Sequence, residues 1–338
     1  MKKKKTTHAQ TIAVLGAGNM GTAVAMVLAD NGHRVQIWNW EGDIKPLKDI
    51  EQYHENKKYL RGYTLPHNIV ACYKIDDALL GVSQVYLVIP SSVLEHTISF
   101  AARHIPKNTI IIDVSKGLCP TSLRITPHLI QKHVRPELKK NIAAISGPAI
   151  AVQMAEKKFT AMNVASKDMR IIQKVQDVME NDYLRLVPSN DVIGIQVGGA
   201  FKNVYTIAIG MCDGMGYGLN TKAALLTYAL AEIKDMIVAM GGKKQTAYEL
   251  AGIGDLIGTS LSPHSRNRTF GNYLGQGLTT TQARKKVTQV VEGVEATQAL
   301  MRLSREYHVH APFAHMVYHC ISSKHDPRPA FKRFLASI

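Results

Sequence analysis

Near its start the chain reads Thr11-Ile-Ala-Val-Leu-Gly-Ala-Gly-Asn-Met-Gly21, an apolar run that leads directly into spaced glycines. This is the GxGxxG pattern in the context that gives it meaning, at the end of a strand and the start of a helix. Gly16 would permit the tight turn, Gly18 would let a pyrophosphate approach, and Gly21 would allow close helix–strand packing. A glycine-rich turn without a ligand is the alternative. The strand before the glycines and a second strand ending at Trp38 favour dinucleotide binding.

The first part of the chain alternates β-branched runs with helical stretches, which is typical of a parallel sheet covered by helices on both faces. We predict strands at Thr11–Leu15, Arg34–Trp38, Gln84–Ile89, Thr109–Asp113, Ile142–Ser146, Thr160–Ala165 and Tyr183–Val187. The helices predicted between them are Met20–Asn31, Val93–His104, Ser122–His133 and Lys167–Glu180. The fold class expected is therefore α/β, with a doubly wound Rossmann-type dinucleotide-binding domain over residues 1–190.

After Pro188-Ser-Asn-Asp191 the pattern changes, because helical periods follow one another without a convincing strand. We predict an all-helical C-terminal domain over residues 191–338 that binds the substrate. Asn220 is expected to cap one of its helices and Gly241-Gly242 to end that helix. The predicted helices are Val192–Met211, Thr221–Met240, Thr246–Leu250, Thr279–Lys286, Glu295–Glu306 and Pro312–Ser323.

The bulk composition is that of a globular protein, with 338 residues, 46% hydrophobic and 20% charged. A formal net charge of +15 would suit a nucleic-acid binder or a protein that attracts small phosphorylated ligands. The basic residues are spread along the chain without the interleaved aromatics of a stacking platform. We therefore expect a small phosphorylated ligand and no nucleic acid.

Cysteine and histidine spacing gives no metal signature. Four cysteines lie far apart without a CxxC pair, which argues against a zinc ribbon or a disulfide framework and favours a reducing cytoplasm. His315 and His319 stand four residues apart, yet no HExxH pattern or third ligand accompanies them, so no metal is expected. Lys2 to Lys5 are followed by no signal-peptide core and are expected to form a solvated tail.

Lys202 lies inside the apolar run Ile193–Met211, together with Gln196 and Asn203. These polar residues and several glycines favour a buried helix of a soluble protein over a membrane span. Desolvation disfavours the ammonium form, so a lysine buried here must pair with an anion or lose proton affinity. Either outcome suits proton transfer or anion binding. The alternative is a side chain that runs along the core and reaches water with its head.

Other polar segments follow predicted strands or break apolar runs. Lys116 lies in Asp113-Val-Ser-Lys-Gly117 at the carboxyl end of a strand, where a doubly wound sheet binds its ligand. Val88-Ile-Pro-Ser-Ser92 and Ser146-Gly-Pro-Ala149 occupy equivalent places, and the latter alone is only a turn. In the helical part, Leu250–Gly258 sets Asp255 among glycines, and Ser265-Arg-Asn267 offers a guanidinium to a phosphate. Taken singly, each of these segments could be a surface loop. Taken together, they predict a pocket for a small phosphorylated substrate.

The cofactor preference is open at this stage. Glu41 and Asp43 lie near the end of the second strand, where an acid usually binds the ribose of NAD. Lys45 and Lys48 could instead receive a 2′-phosphate, and Glu41 could be a solvated loop residue. The sequence leans slightly towards NAD.

The chain resembles the bacterial NAD(P)-dependent glycerol-3-phosphate dehydrogenases over almost its whole length. The segments that carry the resemblance, in family order, are Gly16–Gly21, His54–Leu60, Ser115–Gly117, Ser146–Ala149, Gly199-Ala-Phe-Lys-Asn-Val204, Leu250-Ala-Gly-Ile-Gly-Asp255, Ser265–Asn267 and Val291–Val294. The resemblance implies reduction of dihydroxyacetone phosphate to sn-glycerol 3-phosphate with NADH or NADPH, which supplies the backbone for glycerophospholipid synthesis.

The resemblance also implies residue roles. Lys202 matches the general acid/base, Lys116 a second lysine on the substrate, and Asp255 a partner that positions Lys202. The implied substrate-binding residues are Lys116, Gly147, Ala149, Lys202, Asp255, Ser265, Arg266 and Asn267. The implied cofactor-binding residues are Gly16, Gly18, Asn19, Met20, Gly21, Lys116, Ala151, Arg266, Val290 and Glu292. A homodimer is plausible because helical second domains often offer association surfaces.

Two departures from the family pattern matter. Trp38-Asn-Trp-Glu41 supplies no arginine after the second strand, which puts NADPH preference in doubt, and Tyr228 stands where many members have an arginine nearby. Two other kinds of protein remain as alternatives: a two-domain dehydrogenase for a 3-hydroxy acid or 6-phosphogluconate, and a sensor that binds a dinucleotide without turnover.

Overall fold

The computed structural model describes residues 8–119, 122–287, 290–322 and 325–338. The predicted Lys2–Lys5 tail and Ser323, the predicted end of one helix, lie outside these residues. The chain divides into two compact units. The first comprises residues 8–119 and 124–192, and the second comprises the chain from Ile193 onwards together with residues 122–123.

The first unit is built on an eight-stranded sheet whose spatial order is β10-β9-β8-β7-β6-β1-β2-β5, with a separate β3–β4 hairpin. The strands are β1 (Thr11–Leu15), β2 (Arg34–Trp38), β3 (Glu55–Asn56), β4 (Leu60–Thr64), β5 (Ile69–Cys72), β6 (Gln84–Leu87), β7 (Ile110–Asp113), β8 (Ile142–Ser146), β9 (Thr160–Ala165) and β10 (Leu184–Ser189). All seven predicted strands are present. Neighbours pair in parallel except β8 and β9, which are antiparallel, so the last two strands reverse direction.

Both faces of this sheet are buried, as the apolar strands require. In β1, Ile12 and Val14 belong to one hydrophobic cluster, whereas Ala13 and Leu15 belong to the other. The helices of this unit are α1 (Asn19–Asp30), α2 (Lys45–Tyr53), α3 (Ile75–Ala78), α4 (Ser91–Ala101), α5 (Thr126–His133), α6 (Ala151–Ala155) and α7 (Met169–Met179). The predicted doubly wound α/β fold is confirmed, although α5 begins at Thr126 and not at the predicted Ser122.

The second unit has helices and no strand among its described residues, as predicted. Its helices are α8 (Val192–Gly214), α9 (Leu219–Ala239), α10 (Asp255–Leu261), α11 (Arg266–Gly275), α12 (Thr280–Lys286), α13 (Glu292–Glu306), α14 (Pro312–Ser322) and α15 (Arg328–Leu335). Asn220 is not the cap of α9, because that helix begins one residue earlier and Gly218 occupies the cap position.

Helix α8 is the core helix of this unit. It is long and apolar enough to cross a membrane, but 89% of the residues in its most apolar 18-residue stretch are buried inside the protein. This burial is the behaviour of a core helix in a soluble protein, as the glycines and polar residues within it predicted.

A buried carboxylate links three helices of this unit. Glu232 on α9 accepts hydrogen bonds from the backbone N–H groups of Phe313 and Ala314, at 2.6 and 3.0 Å, and from the hydroxyl of Tyr205 on α8, at 2.9 Å. The two backbone donors belong to the first turn of α14 and have no partner within that helix. Glu232 therefore caps α14 and ties it to α8 and α9.

Replacing Glu232 with alanine should lower the free energy of unfolding by about 3 kcal/mol, since three buried donors lose their acceptor. Tyr205→Phe removes only one of these hydrogen bonds and should cost about 1 kcal/mol. Urea unfolding followed by circular dichroism measures both. Equal losses in the two variants would contradict the capping role.

The same site has a defined pH dependence. Burial raises the pKa of Glu232, although the N–H groups of Phe313 and Ala314 and the Tyr205 hydroxyl oppose this shift. An acid whose pKa is raised on folding stabilises the protein fully below its usual pKa of 4.5, and this contribution falls as pH rises. The stability of the wild type relative to Glu232→Gln should therefore decrease as pH increases above that value.

Candidate active site

Lys202 is buried on α8, with 3% of its surface exposed, and its ammonium forms an ion pair with Asp255, which is completely buried. The ammonium also donates to the Thr259 hydroxyl at 2.7 Å, and that hydroxyl lies 2.9 Å from the same Asp255 oxygen that pairs with Lys202. A carboxylate at hydrogen-bonding distance favours the charged ammonium over the neutral amine. The predicted anion partner is therefore present, and the snorkelling alternative does not apply.

The spacing between α8 and the Asp255 segment is set by a glycine contact. A Cβ atom built on Gly198 would lie 2.8 Å from the carbonyl oxygen of Ala251, closer than such atoms approach in proteins. Gly198 is one helical turn before Lys202, and Ala251 is four residues before Asp255. Residues four apart on a helix share a face. The backbone contact therefore lies beside the ion pair and lets its two side chains meet.

The backbone before Asp255 has an unusual geometry. Leu250–Gly254 form a π-helical turn that leads directly into α10. Such turns widen a helix locally and often occur at functional sites. Gly252 within it has no room for a side chain, because a Cβ would lie 2.2 Å from the Ala247 carbonyl oxygen. The glycines around Asp255 thus allow a wide turn packed closely against its neighbours.

Ser265, Arg266 and Asn267 form the start of α11. The Ser265 hydroxyl caps the helix by accepting from the backbone N–H of Arg268 at 3.3 Å, while Arg266 is exposed in the first turn. The amide oxygen of Asn267 accepts from the Gly293 N–H at 2.9 Å, which fixes the side chain, and its N–H₂ group is the donor that a phosphate could use. This bond also brings the segment with Val290 and Glu292 to the first turn of α11.

The three glycines of the turn after β1 have different surroundings. Gly16 has φ +114°, and a Cβ on it would lie 2.3 Å from the Val88 carbonyl oxygen. A Cβ on Gly21 would lie 1.8 Å from the Gly16 carbonyl oxygen. Gly18 differs, since nothing lies within 4 Å of its Cβ position. Two glycines thus serve packing and the third faces open space at the start of α1, where a pyrophosphate fits.

Two buried asparagines hold this turn. The amide oxygen of Asn39 accepts from the Ala17 N–H at 3.2 Å, and the amide nitrogen of Asn56 donates to the Ala17 carbonyl and to the Thr22 hydroxyl, both at 2.8 Å. Both peptide groups of Ala17 are thus bonded from outside the turn. The loop is therefore fixed by its own protein scaffold.

Asp43, one of the two acids near the end of β2, has partners within the protein. Asp43 accepts hydrogen bonds from Lys58 and Tyr59, both at 2.6 Å. Burial tends to raise the pKa of Asp43, but these hydrogen bonds prevail and lower it. Asp43 is thus engaged within the protein, whereas Trp40, Glu41, Lys45 and Lys48 are exposed.

Lys116 is partly buried in the loop after β7 and donates to the carbonyl oxygen of Gly147 at 3.0 Å. Two strand-end loops of the first unit are therefore joined by a predicted site residue. Gly147 has φ +154°, and a Cβ there would lie 2.8 Å from the Met162 backbone, which accounts for glycine at this position. Ala149 follows this turn and Ala151 begins α6.

The remaining predicted residues lie at helix starts. Asn19 and Met20 begin α1, Glu292 begins α13, and Val290 is an exposed residue just before it.

Sequence reasoning missed Thr259, Asn39 and Asn56. Thr259 stands four residues after Asp255 on the same helix, a spacing that could have found it. Tyr228 is partly exposed on α9.

Among the described residues, no group of three or more histidine, cysteine, aspartate or glutamate side chains could hold a metal ion. The rings of His315 and His319 contact each other edge to face, with centroids 4.5 Å apart. The four cysteines are buried free thiols.

Comparison with known proteins gives matches along both units. Residues 11–172 match the family model of the NAD-dependent glycerol-3-phosphate dehydrogenase N-terminus, and residues 191–332 match the model of its C-terminus. A glycerol-3-phosphate dehydrogenase [NAD(P)+] of Bacillus velezensis is 37% identical over 97% of this chain and 94% of its own length. The crystal structure of glycerol-3-phosphate dehydrogenase from Coxiella burnetii has a TM-score of 0.90 and 31% identity, covering 97% of this chain and 99% of that one.

The glycine contact beside the ion pair can be tested directly. In Gly198→Ala, the new methyl group should push α8 away from Ala251 and displace Lys202 from Asp255. We expect catalytic efficiency to fall about tenfold or more, because small displacements of reacting groups are costly. Steady-state kinetics measures this loss.

Gly218→Ala is the control, since nothing lies within 4 Å of its Cβ position and its backbone is extended. Unchanged kinetics in Gly198→Ala, with the protein folded, would contradict the spacing role.

Proposed function

Since the chain belongs to the NAD(P)-dependent glycerol-3-phosphate dehydrogenase family, we propose how its side chains carry out the reaction of that family. The enzyme reduces dihydroxyacetone phosphate to glycerol 3-phosphate with a nicotinamide cofactor. One observation carries the proposal: Lys202 is an ammonium buried in an apolar helix and paired with Asp255.

Reduction of a carbonyl needs a proton for the oxygen as negative charge develops on it. The bound reduced nicotinamide supplies the hydride. Lys202 is the proton donor in this proposal, and Asp255 and Thr259 hold its ammonium in place. Asp255 and Thr259 each hydrogen-bond to Nζ of Lys202 and also to each other. These three contacts fix the direction in which the ammonium points. A fixed donor favours proton transfer because its orientation is set before the reaction begins.

Lys116 is proposed to contact and orient the carbonyl. An ammonium has three N–H donors, and the bond to the Gly147 carbonyl sets where the group points. Arg266, the Asn267 amide and the Ser265 hydroxyl are proposed to bind the phosphate. The start of α11 supports this, because a helix N-terminus and a guanidinium both favour an anion.

The cofactor is proposed to lie over Gly18, with its pyrophosphate at the start of α1. Open space at Gly18, in contrast to the crowded Gly16 and Gly21, supports this placement. Asn19, Met20, Ala151, Val290 and Glu292 stay predictions as cofactor contacts.

We further propose a dinucleotide-binding domain over residues 1–190, a substrate domain over residues 191–338, a cytoplasmic location and use of the product in glycerophospholipid synthesis. The absence of nucleic-acid binding and a possible homodimer also stay predictions. Light scattering of the purified protein tests the oligomeric state.

Lys202→Ala should reduce kcat by about 10²- to 10⁴-fold, the usual contribution of a positioned general acid. The dissociation constant of NADH should stay within about twofold, because Lys202 is not among the residues proposed to bind the dinucleotide. Stopped-flow kinetics and cofactor fluorescence measure the two quantities.

Lys332→Ala, an exposed lysine on α15, is the matched control and should behave as the wild type. Near-normal turnover in Lys202→Ala would refute the assignment of the proton donor. Oxidation of NADH and NADPH by the wild type with dihydroxyacetone phosphate, and not with 3-oxo acids, separates this enzyme from the alternative dehydrogenases.

The exposed Trp40 offers a test of cofactor preference. Trp40→Arg places a guanidinium at the end of β2, where it could bind the 2′-phosphate of NADPH. We expect the ratio of kcat/KM for NADPH to that for NADH to rise about tenfold, the value of one charge-assisted hydrogen bond.

Phe159→Arg adds the same charge at another exposed aromatic position of this unit and controls for net charge. An equal rise in both variants, or in neither, would show that the end of β2 does not select the cofactor.

A further inference from the structure

Asp113 is a completely buried carboxylate at the end of β7. One of its oxygens accepts a hydrogen bond from the backbone N–H of Ser115 at 3.0 Å, and the other accepts from the hydroxyl of Thr126. Thr126 is the first residue of α5. Asp113 therefore joins the strand end, the loop that follows it and the start of a helix.

The loop held in this way carries Lys116. An aspartate side chain bonded to the backbone N–H two residues later forms an Asx turn, which fixes the direction of the chain. Ser115 is buried and its hydroxyl lies 3.4 Å from the carbonyl oxygen of Leu87 in β6. Gly117, with φ +135°, ends the turn, and a Cβ on it would lie 2.6 Å from the Ser91 hydroxyl. Lys116 thus leaves a backbone that is fixed on both sides.

We propose that Asp113 is the positioning residue for Lys116. Its carboxylate sets the backbone from which the lysine extends, so that the ammonium reaches the Gly147 carbonyl and the substrate. This inference rests on the proposed contact between Lys116 and the substrate, and it goes beyond that contact by naming what directs it.

The chemistry of the site favours this role over simple core packing. A buried carboxylate is costly unless its oxygens accept hydrogen bonds, and an apolar residue would fill the same volume without that cost. The Ser115 N–H and the Thr126 hydroxyl, which donate to Asp113, lie on the segments before and after Lys116. Alanine at position 113 would leave the Ser115 N–H and the Thr126 hydroxyl without this acceptor and release the turn. Asparagine would keep an acceptor for Ser115, since it forms the same kind of turn.

The test measures kcat and KM for dihydroxyacetone phosphate, and the dissociation constant of NADH, in the full-length enzyme. Asp113→Ala should lower kcat/KM about 10- to 100-fold, as expected for a displaced substrate-orienting group, chiefly through KM. The NADH dissociation constant should stay within about twofold. Asp113→Asn should recover most of the loss in kcat/KM, which general destabilisation would not predict.

A double-mutant cycle with Lys116→Ala decides whether Asp113 acts through the lysine. In the Lys116→Ala background, Asp113→Ala should cost less than about twofold, because the group that it positions is gone. An undiminished loss in that background would overturn the inference. If Lys116→Ala itself leaves kcat/KM unchanged, the proposed role of Lys116 fails first, and the two failures are thereby distinguished.

Thr126→Val provides a milder variant that keeps the carboxylate and the fold, and it should raise KM in the same direction. Its matched control is Thr109→Val, since the Thr109 hydroxyl is also buried but donates to the Val82 carbonyl at 3.0 Å, away from the lysine loop. Equal effects of the two threonine variants on KM, or no effect of Thr126→Val and Asp113→Ala in the folded enzyme, would also overturn the inference.

Discussion

The buried ion pair between Lys202 and Asp255 is the interaction on which the proposed proton-donor site of the second unit depends. Two buried charges cost more desolvation energy than an apolar pair of the same size, so such a pair is weak evidence for stability. Its surroundings fit another purpose. A glycine contact at Gly198, a π-helical turn and the Thr259 hydroxyl all converge on the two charged groups. The local structure is thus arranged to hold an ammonium in one orientation inside an apolar core.

The sequence predicted this site from Lys202 because a lysine within an apolar helix is conspicuous. The supporting side chains were not predictable in the same way: Thr259 at this site, and Asn39 and Asn56 at the glycine turn of the first unit. Thr259 stands one helical turn after Asp255, a spacing that points to it, but its hydrogen bond to Nζ is seen only in the structure. Asn56 acts through the Ala17 peptide, 39 positions earlier in the chain. Asn39 follows a strand like many loop residues, and its contact with the same peptide depends on the pairing of β1 with β2.

The fold was predictable to a similar depth. Apolar periodicity found seven of the eight strands of the large sheet, because buried strands must be apolar on both faces. It missed β5, in which Val70 is exposed and Ala71 is only partly buried, whereas every residue of the equally short β6 and β7 is buried. It also could not predict that β9 runs against β8. Alternation of side chains is the same in either direction, whereas the direction follows from the path of the connecting chain.

The two lysines illustrate how different supports suit different tasks. Lys202 is held by a carboxylate, which favours the ammonium and restricts it to one direction. Those are the requirements of a proton donor. Lys116 hydrogen-bonds to a neutral carbonyl oxygen and extends from a backbone that a second buried carboxylate fixes. The backbone around Lys116 thus fixes where its side chain begins, and the Gly147 carbonyl fixes where its ammonium points. This arrangement suits a group that attracts and orients an oxygen. The difference in support therefore favours unlike roles for the two residues, with Lys202 transferring the proton and Lys116 binding the carbonyl.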